Sequence, residues 1–179
     1  MRDIIIMALE QEAPDLAQHP AVFFSGVGKI NAAATTARLI ERYQPDRIIN
    51  FGTAGGIAVG PGLHRVTRFV QRDMQCTGLG LLPGVTPFED PQQMLCIEPT
   101  GLICSTGDNF VTDPKLEISA DLVDMESYAI AKVCQQTGVE FDCYKFVTDQ
   151  ADTDASHDWN TMISSGQPHY ITVLKNLGV

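Results

Sequence analysis

Asp46-Arg47-Ile48-Ile49-Asn50-Phe51 runs directly into Gly52-Thr53-Ala54-Gly55-Gly56. The first six residues read as a buried strand, too short and too rich in β-branched residues for a helix. The five that follow have almost no side chain. They fit either a tight turn or a backbone that a ligand must approach closely. Upstream, residues 30–43 form an Ala-rich helical pattern with Arg on its outer face, stopped by Pro45. Before that helix, residues 22–24 form a short strand leading into Ser25-Gly26-Val27-Gly28-Lys29, and residues 3–9 form the first strand. Downstream, strands are expected at 64–71, 95–97, 101–105 and 140–148. A helix is expected over 121–137, ended by Gly138, and another over 160–177, which Gly166 and Pro168 break or delay. Strands alternating with helices predict an α/β protein with a mostly parallel central sheet, whose ligands bind at the carboxyl ends of the strands.

The chain has 179 residues, 44% hydrophobic and 19% charged, which suits one globular domain over residues 1–179. No apolar run approaches the roughly 18 residues of a membrane span, and the N-terminal run 4–9 is followed at once by Glu10 and Glu12. A cytoplasmic protein without membrane contact is expected. The net charge of −10 argues against a nucleic-acid partner. Five cysteines without a CxxC pair, with Cys104, Cys134 and Cys143 in apolar segments, read as reduced thiols. The four histidines show no ligand spacing, so no metal is expected.

Each chemically loaded segment follows a predicted strand. Glu10-Gln11-Glu12 offers carboxylates that act as a general base or as solvated charge at a helix start. Gly26-Val27-Gly28-Lys29 lacks the spacing of a nucleotide-triphosphate loop, and Asn31 breaks a dinucleotide fingerprint. Asp149, four residues after Lys145, is either a general acid or a helix N-cap. In a helix starting near residue 121, Met125, Ala129 and Val133 form an apolar stripe with Glu126 beside it. Glu126 then reads as a first-turn charge or as an acceptor for ligand hydroxyls. A Gly- and Pro-bearing loop lies between Met74 and Glu98, with residues 84–91 suited to a lid or an oligomer contact.

Taken in order, the segments Ala-Leu-Glu-Gln-Glu (8–12), Ser-Gly-Val-Gly-Lys (25–29), Phe-Gly-Thr-Ala-Gly-Gly (51–56), Gly-Asp-Asn-Phe-Val (107–111), Val-Asp-Met-Glu-Ser (123–127) and Val-Thr-Asp-Gln-Ala-Asp (147–152) resemble the purine nucleoside phosphorylase and nucleosidase superfamily. They are most similar to its methylthioadenosine/S-adenosylhomocysteine nucleosidase branch. The resemblance implies a single-domain α/β/α sandwich with a central mixed, mostly parallel sheet. It implies hydrolysis of the N-glycosidic bond of a purine nucleoside, without metal or redox cofactor, by a homodimer. By motif, Asp149 would protonate the purine at N7 and Glu12 would activate the attacking water. Met125 and Glu126 would hold the ribose, and Phe110 would stack near the base with Val111 beside it. Thr53 and Gly55 would lie near the sugar and nucleophile, and Val27 near the sugar's 5′ side.

Two alternatives stand beside hydrolysis. Phosphorolytic relatives hold phosphate with arginines, one typically three residues before the Ser or Thr of the glycine segment. That position here is Asn50, and the stretch between Glu12 and Gly26 contains no Arg or Lys. A non-catalytic nucleoside-binding protein on the same fold would not need Glu12, Glu126 and Asp149 together. The chain is shorter than the usual nucleosidase between Glu12 and Ser25, and its loop from Cys76 to Pro91 departs from the family pattern. Both differences bear on the 5′-substituent pocket.

Overall fold

The structure is a computed structural model that describes residues 2–89, 94–113 and 115–179, and among these described residues eight strands and four α-helices form. In chain order the elements are β1 (Asp3–Met7), β2 (Val22–Phe24), α1 (Lys29–Tyr43), β3 (Arg47–Gly56), β4 (Gly62–Gln71), β5 (Met94–Cys96), β6 (Leu102–Thr106), β7 (Leu122–Asp124), α2 (Ser127–Thr137), β8 (Glu140–Asp149), α3 (Ala155–Met162) and α4 (Gln167–Leu177). The sheet order is β2-β1-β3-β7-β6-β4-β5, and β8 pairs with both β3 and β4. The sheet therefore closes on itself through β3, β7, β6, β4 and β8. It is mixed and mostly parallel: β1/β2, β1/β3, β3/β8, β4/β6 and β6/β7 run parallel, while β3/β7, β4/β5 and β4/β8 run antiparallel.

Helices cover both faces. The Ala32–Leu39 side of α1 and Ala129, Ile130 and Cys134 of α2 pack with Ile4, Ile6, Ile48, Phe69 and Phe141 of the strands. On the opposite face Tyr170 and Leu174 of α4 pack with Ile5, Met7, Ile49 and Phe51. Alternate isoleucines of β1 and β3 thus feed opposite cores, as the two-residue period of a strand requires. Tyr170 stacks on Phe51 with ring centroids 4.9 Å apart, and its hydroxyl donates to the Gly52 carbonyl at 2.9 Å. Cys104, Cys134 and Cys143 are buried free thiols.

Several expected boundaries move, for physical reasons. The small-residue segment 52–56 is no turn but the second half of β3, paired from Gly52 to Gly55 with β8 and at Gly55 and Gly56 with β7. The helix expected from residue 121 begins only at Ser127, because residues 122–124 form β7, wedged between β3 and β6. Asp124 then accepts the Ser127 amide at 2.8 Å, which starts the helix there. Met125 consequently lies outside the helix, and the stripe expected to start at Met125 does not form. The terminal helix divides into α3 and α4, with Pro168 in the first turn of α4, where its missing N–H costs nothing. In the loop expected as a lid or contact, Thr77–Leu79 forms one 3-10 turn, while Asp90 and Pro91 lie outside the described residues.

The sheet's most expensive feature is ionic. Lys145 of β8 and Asp124 of β7 form a salt bridge at 2.9 Å, with the side chains 1% and 0% exposed. Removing one partner of such a pair strands the other charge in a medium that cannot solvate it. Lys145→Met is expected to lower the unfolding free energy by about 3–5 kcal/mol. Adding Asp124→Asn should restore part of that loss, as read from urea denaturation of both variants.

Candidate functional site

The carboxyl ends of β1, β3, β6, β7 and β8 converge on a cavity of about 180 Å³. Glu12, Val27, Thr53, Gly55, Phe110, Val111, Met125, Glu126 and Asp149 all line it. Residues as far apart in the chain as Ala8 and Trp159 meet there because the closed sheet brings these strand ends together, although β6 and β7 run antiparallel to β3.

Glu12 closes a 3-10 turn (Glu10–Glu12) just after β1 and is 2% exposed, so it is no solvated surface charge. Its Oε2 accepts the Ala8 and Leu9 amides at 3.2 and 3.0 Å. Its Oε1 accepts the Thr53 amide at 2.7 Å and the Thr53 hydroxyl at 3.0 Å. Gly52 leaves room beside it: a β-carbon there would come within 3.1 Å of Lys145 Nζ and 3.3 Å of Glu12 Oε1.

Asp149 ends β8 against Gly55, whose added β-carbon would fall 2.8 Å from Asp149 Oδ1 and 3.0 Å from Val123. Burial raises the Asp149 carboxyl above the ordinary range, and Asp158 and Asp152 add to the rise. Hydrogen bonds from the Ala151 amide at 3.0 Å and the Thr148 hydroxyl at 2.9 Å act in the opposite sense. The first of these depends on Ala151 holding a φ of 52°, a left-handed conformation costly for a residue with a β-carbon. Lys145, considered from spacing as a neighbour of Asp149, faces Asp124 instead.

Glu126 occupies the N-cap position of α2 and accepts the Gly28 amide at 2.9 Å. The glycine segment after β2 is thereby tied to the site, with Gly28 at a φ of 97° that a side-chain-bearing residue rarely adopts. Burial first, then the Asp124 charge, lifts the Glu126 carboxyl from 4.5 to about 7, against the pull of Lys145 and the Gly28 amide. Asp124 moves the other way, to about 2. Its burial penalty is outweighed by Lys145, the Thr106 hydroxyl and the Ser127 amide. Beside these acids lie the half-buried Met125, the buried Val111 and Phe110, which is 44% exposed at the mouth.

Two lining residues were not expected from the sequence. Arg72, at the end of β4, directs its terminal nitrogens at the carbonyls of Ser105, Gly107, Asn109 and Asp124, bracing the loop that carries Phe110. Trp159 of α3 donates from Nε1 to Thr53 Oγ1 at 3.0 Å. Neither sits in a recognisable motif; the one available signal is that Trp159 is the chain's single tryptophan. Asn50, by contrast, lies away from the cavity, its amide donating to the Ile6 and Phe51 carbonyls at 2.9 and 3.1 Å.

Comparison with known proteins agrees with this architecture. The phosphorylase superfamily model matches residues 15–167. A 5′-methylthioadenosine/S-adenosylhomocysteine nucleosidase of Bacillus cytotoxicus is 30% identical over 185 residues, covering 86% of this chain and 79% of its own. Among solved structures, a futalosine hydrolase mutant of Helicobacter pylori superposes with a TM-score of 0.83 at 18% identity, over 92% of this chain and 93% of its own. A Helicobacter pylori nucleosidase mutant with 5′-methylthioadenosine in the active site gives a TM-score of 0.82 at 19% identity, over 92% of each chain. The closed mixed sheet, the cavity at its carboxyl edge and these matches together make the chain a member of the phosphorylase superfamily, and within it a nucleosidase, an N-glycosyl hydrolase.

Proposed function

We propose that this protein hydrolyses the N-glycosidic bond of a purine nucleoside of the methylthioadenosine/S-adenosylhomocysteine type and releases adenine or a related base. The observation that carries the reading is the meeting of Glu12, Glu126 and Asp149 around one cavity. Cleavage builds positive charge on the sugar and negative charge on the base. Asp149, raised by burial, is suited to hold a proton and deliver it to a ring nitrogen of the departing purine. Glu12, an acceptor fixed by main-chain amides, takes a proton from the attacking water. Glu126 hydrogen-bonds the ribose hydroxyls, and Met125 packs on the sugar. Phe110 and Val111 cover the base, Thr53 and Gly55 border the sugar, and Val27 lies toward its 5′ side.

Water is favoured over phosphate as the nucleophile. A phosphate dianion needs charge-assisted donors. Asn50 is turned to main-chain carbonyls, and both terminal nitrogens of Arg72 are engaged by carbonyls. We further propose a cytoplasmic homodimer formed by one domain spanning residues 1–179. Exposed apolar side chains near α1 and the 77–88 loop support the association, namely Ile30, Leu79, Leu82 and Phe88, the last 99% exposed. Gel filtration at the monomer position would count against it.

Adenine release from 5′-methylthioadenosine and S-adenosylhomocysteine, with and without phosphate, tests the activity. Release independent of phosphate is expected. A strict phosphate requirement would make the protein a phosphorylase, and no release from any purine nucleoside would make it a binding protein. Asp149→Asn and Glu12→Gln should each lower kcat by about 100- to 10 000-fold; a rate unchanged in Asp149→Asn would remove the acid from its role.

Glu126 carries a pH signature of its own. Its carboxyl is raised from 4.5 to about 7 on folding, so the folded state keeps a proton that the unfolded chain has lost. That contribution to stability is complete below about 4.5 and is lost as pH rises through about 7. Relative to Glu126→Gln, the wild type should lose on the order of 1–3 kcal/mol between these limits. Parallel urea titrations at several pH values check the sign.

A further inference from the structure

We propose that Trp159 is a positioning residue for Glu12, acting through the Thr53 hydroxyl, so that docking of α3 and orientation of the base are one event. The inference rests on the reading of Glu12 as the group that activates water. An indole N–H donates and cannot accept, whereas a hydroxyl has one proton to give. Trp159 Nε1 donates to Thr53 Oγ1 at 3.0 Å, and Thr53 Oγ1 lies 3.0 Å from Glu12 Oε1. With the indole proton directed at the oxygen, the hydroxyl proton is left to point at Glu12.

That hydroxyl differs from the other donors to Glu12. The amides of Ala8, Leu9 and Thr53 are held by the backbone of the 3-10 turn and of β3. The Thr53 hydroxyl alone among these four donors can rotate, so its direction needs an external constraint, and Trp159 supplies it. The constraint reaches in from α3, which packs against β8. Ala155 is the buried residue of α3, and the hydrogen bonds from the Asn160 and Thr161 side chains return to the helix's own carbonyls. The Trp159–Thr53 bond therefore fastens α3 over the cavity and sets the hydroxyl on the base at once.

Two side-chain exchanges isolate the relay. Trp159→Phe keeps an aromatic wall and removes the N–H; Thr53→Val keeps the shape and removes the hydroxyl. With 5′-methylthioadenosine as probe, each is expected to lower kcat about tenfold, with KM within about twofold of wild type. The double variant should be no slower than the slower single, because both break the same chain. Additive losses, an effect confined to KM, or an unchanged or higher kcat in Trp159→Phe would reduce Trp159 to a wall of the cavity and overturn the proposal.

A second measurement does not need turnover. Trp159 is the single tryptophan, so one indole N–H resonance appears in a ¹⁵N-labelled sample of the whole chain. It should be protected from solvent exchange in the wild type, lose that protection in Thr53→Val, and shift in Glu12→Gln. A resonance indifferent to both substitutions overturns the relay. If the wild type releases no adenine, the hydrolytic reading fails on that result, while the resonance still decides for or against the relay.

Discussion

Four acidic side chains around one cavity, Glu12, Asp124, Glu126 and Asp149, are an electrostatic problem, and Lys145 is the feature that makes the arrangement tenable. Its ammonium is buried, 2.9 Å from Asp124, and close enough to Glu12 that both would crowd a side chain at Gly52. A buried ion pair adds little net stability compared with apolar packing. Its value here lies in what it does to its neighbours. Asp124 is held ionised near the low end of the carboxylate range, and burial first, then the Asp124 charge, lifts Glu126 toward neutrality against the pull of Lys145. Asp149, out of reach of the lysine, is raised by burial and by Asp152 and Asp158 instead. Acids of the same chemical type therefore sit in different electrostatic environments within one cavity, as acid–base chemistry demands.

The second constraint is steric. β3 runs through the middle of the sheet, with partners on both edges, and its last residues carry almost no side chain. Gly52 leaves room for Glu12 and Lys145, and Gly55 leaves room for Asp149 and Val123. A β-carbon at either place would press on a carboxylate that lines the cavity. The glycines serve close approach of side chains to a strand backbone, a different purpose from the turn geometry that their composition also suggests.

Much of this was readable from local pattern. The isoleucines of β1 and β3, the Ala-rich α1 stopped before Pro45, and Gly138 after α2 mark elements whose local preferences agree with their tertiary roles. Where the structure departs from local pattern, a neighbour outweighs local preference. Residues 122–124 have no strand signature strong enough to separate them from the helix that follows; pairing with Gly55, Gly56 and β6 makes them a strand. The cavity-lining residues named from the sequence were named through their resemblance to the superfamily's motifs. They lie in short segments of unusual composition directly after strands, where an α/β sheet presents ligands. Arg72 and Trp159 lie outside such segments, and nothing local separates them from an ordinary surface arginine or a core tryptophan.

Taken alone, the sequence determined the alternation of strands and helices, the two-faced burial of the central strands, and which small residues and carboxylates cluster after strand ends. These follow from periodicity and side-chain chemistry, which act over a few residues. Only the tertiary structure decided that the sheet closes through β8, that Lys145 serves Asp124 and not Asp149, and that α3 reaches Glu12 through Trp159 and Thr53. Those outcomes depend on pairing between segments far apart in the chain. The free energy of a buried charge or a directed hydroxyl is set by whatever the fold brings within about 3 Å of it.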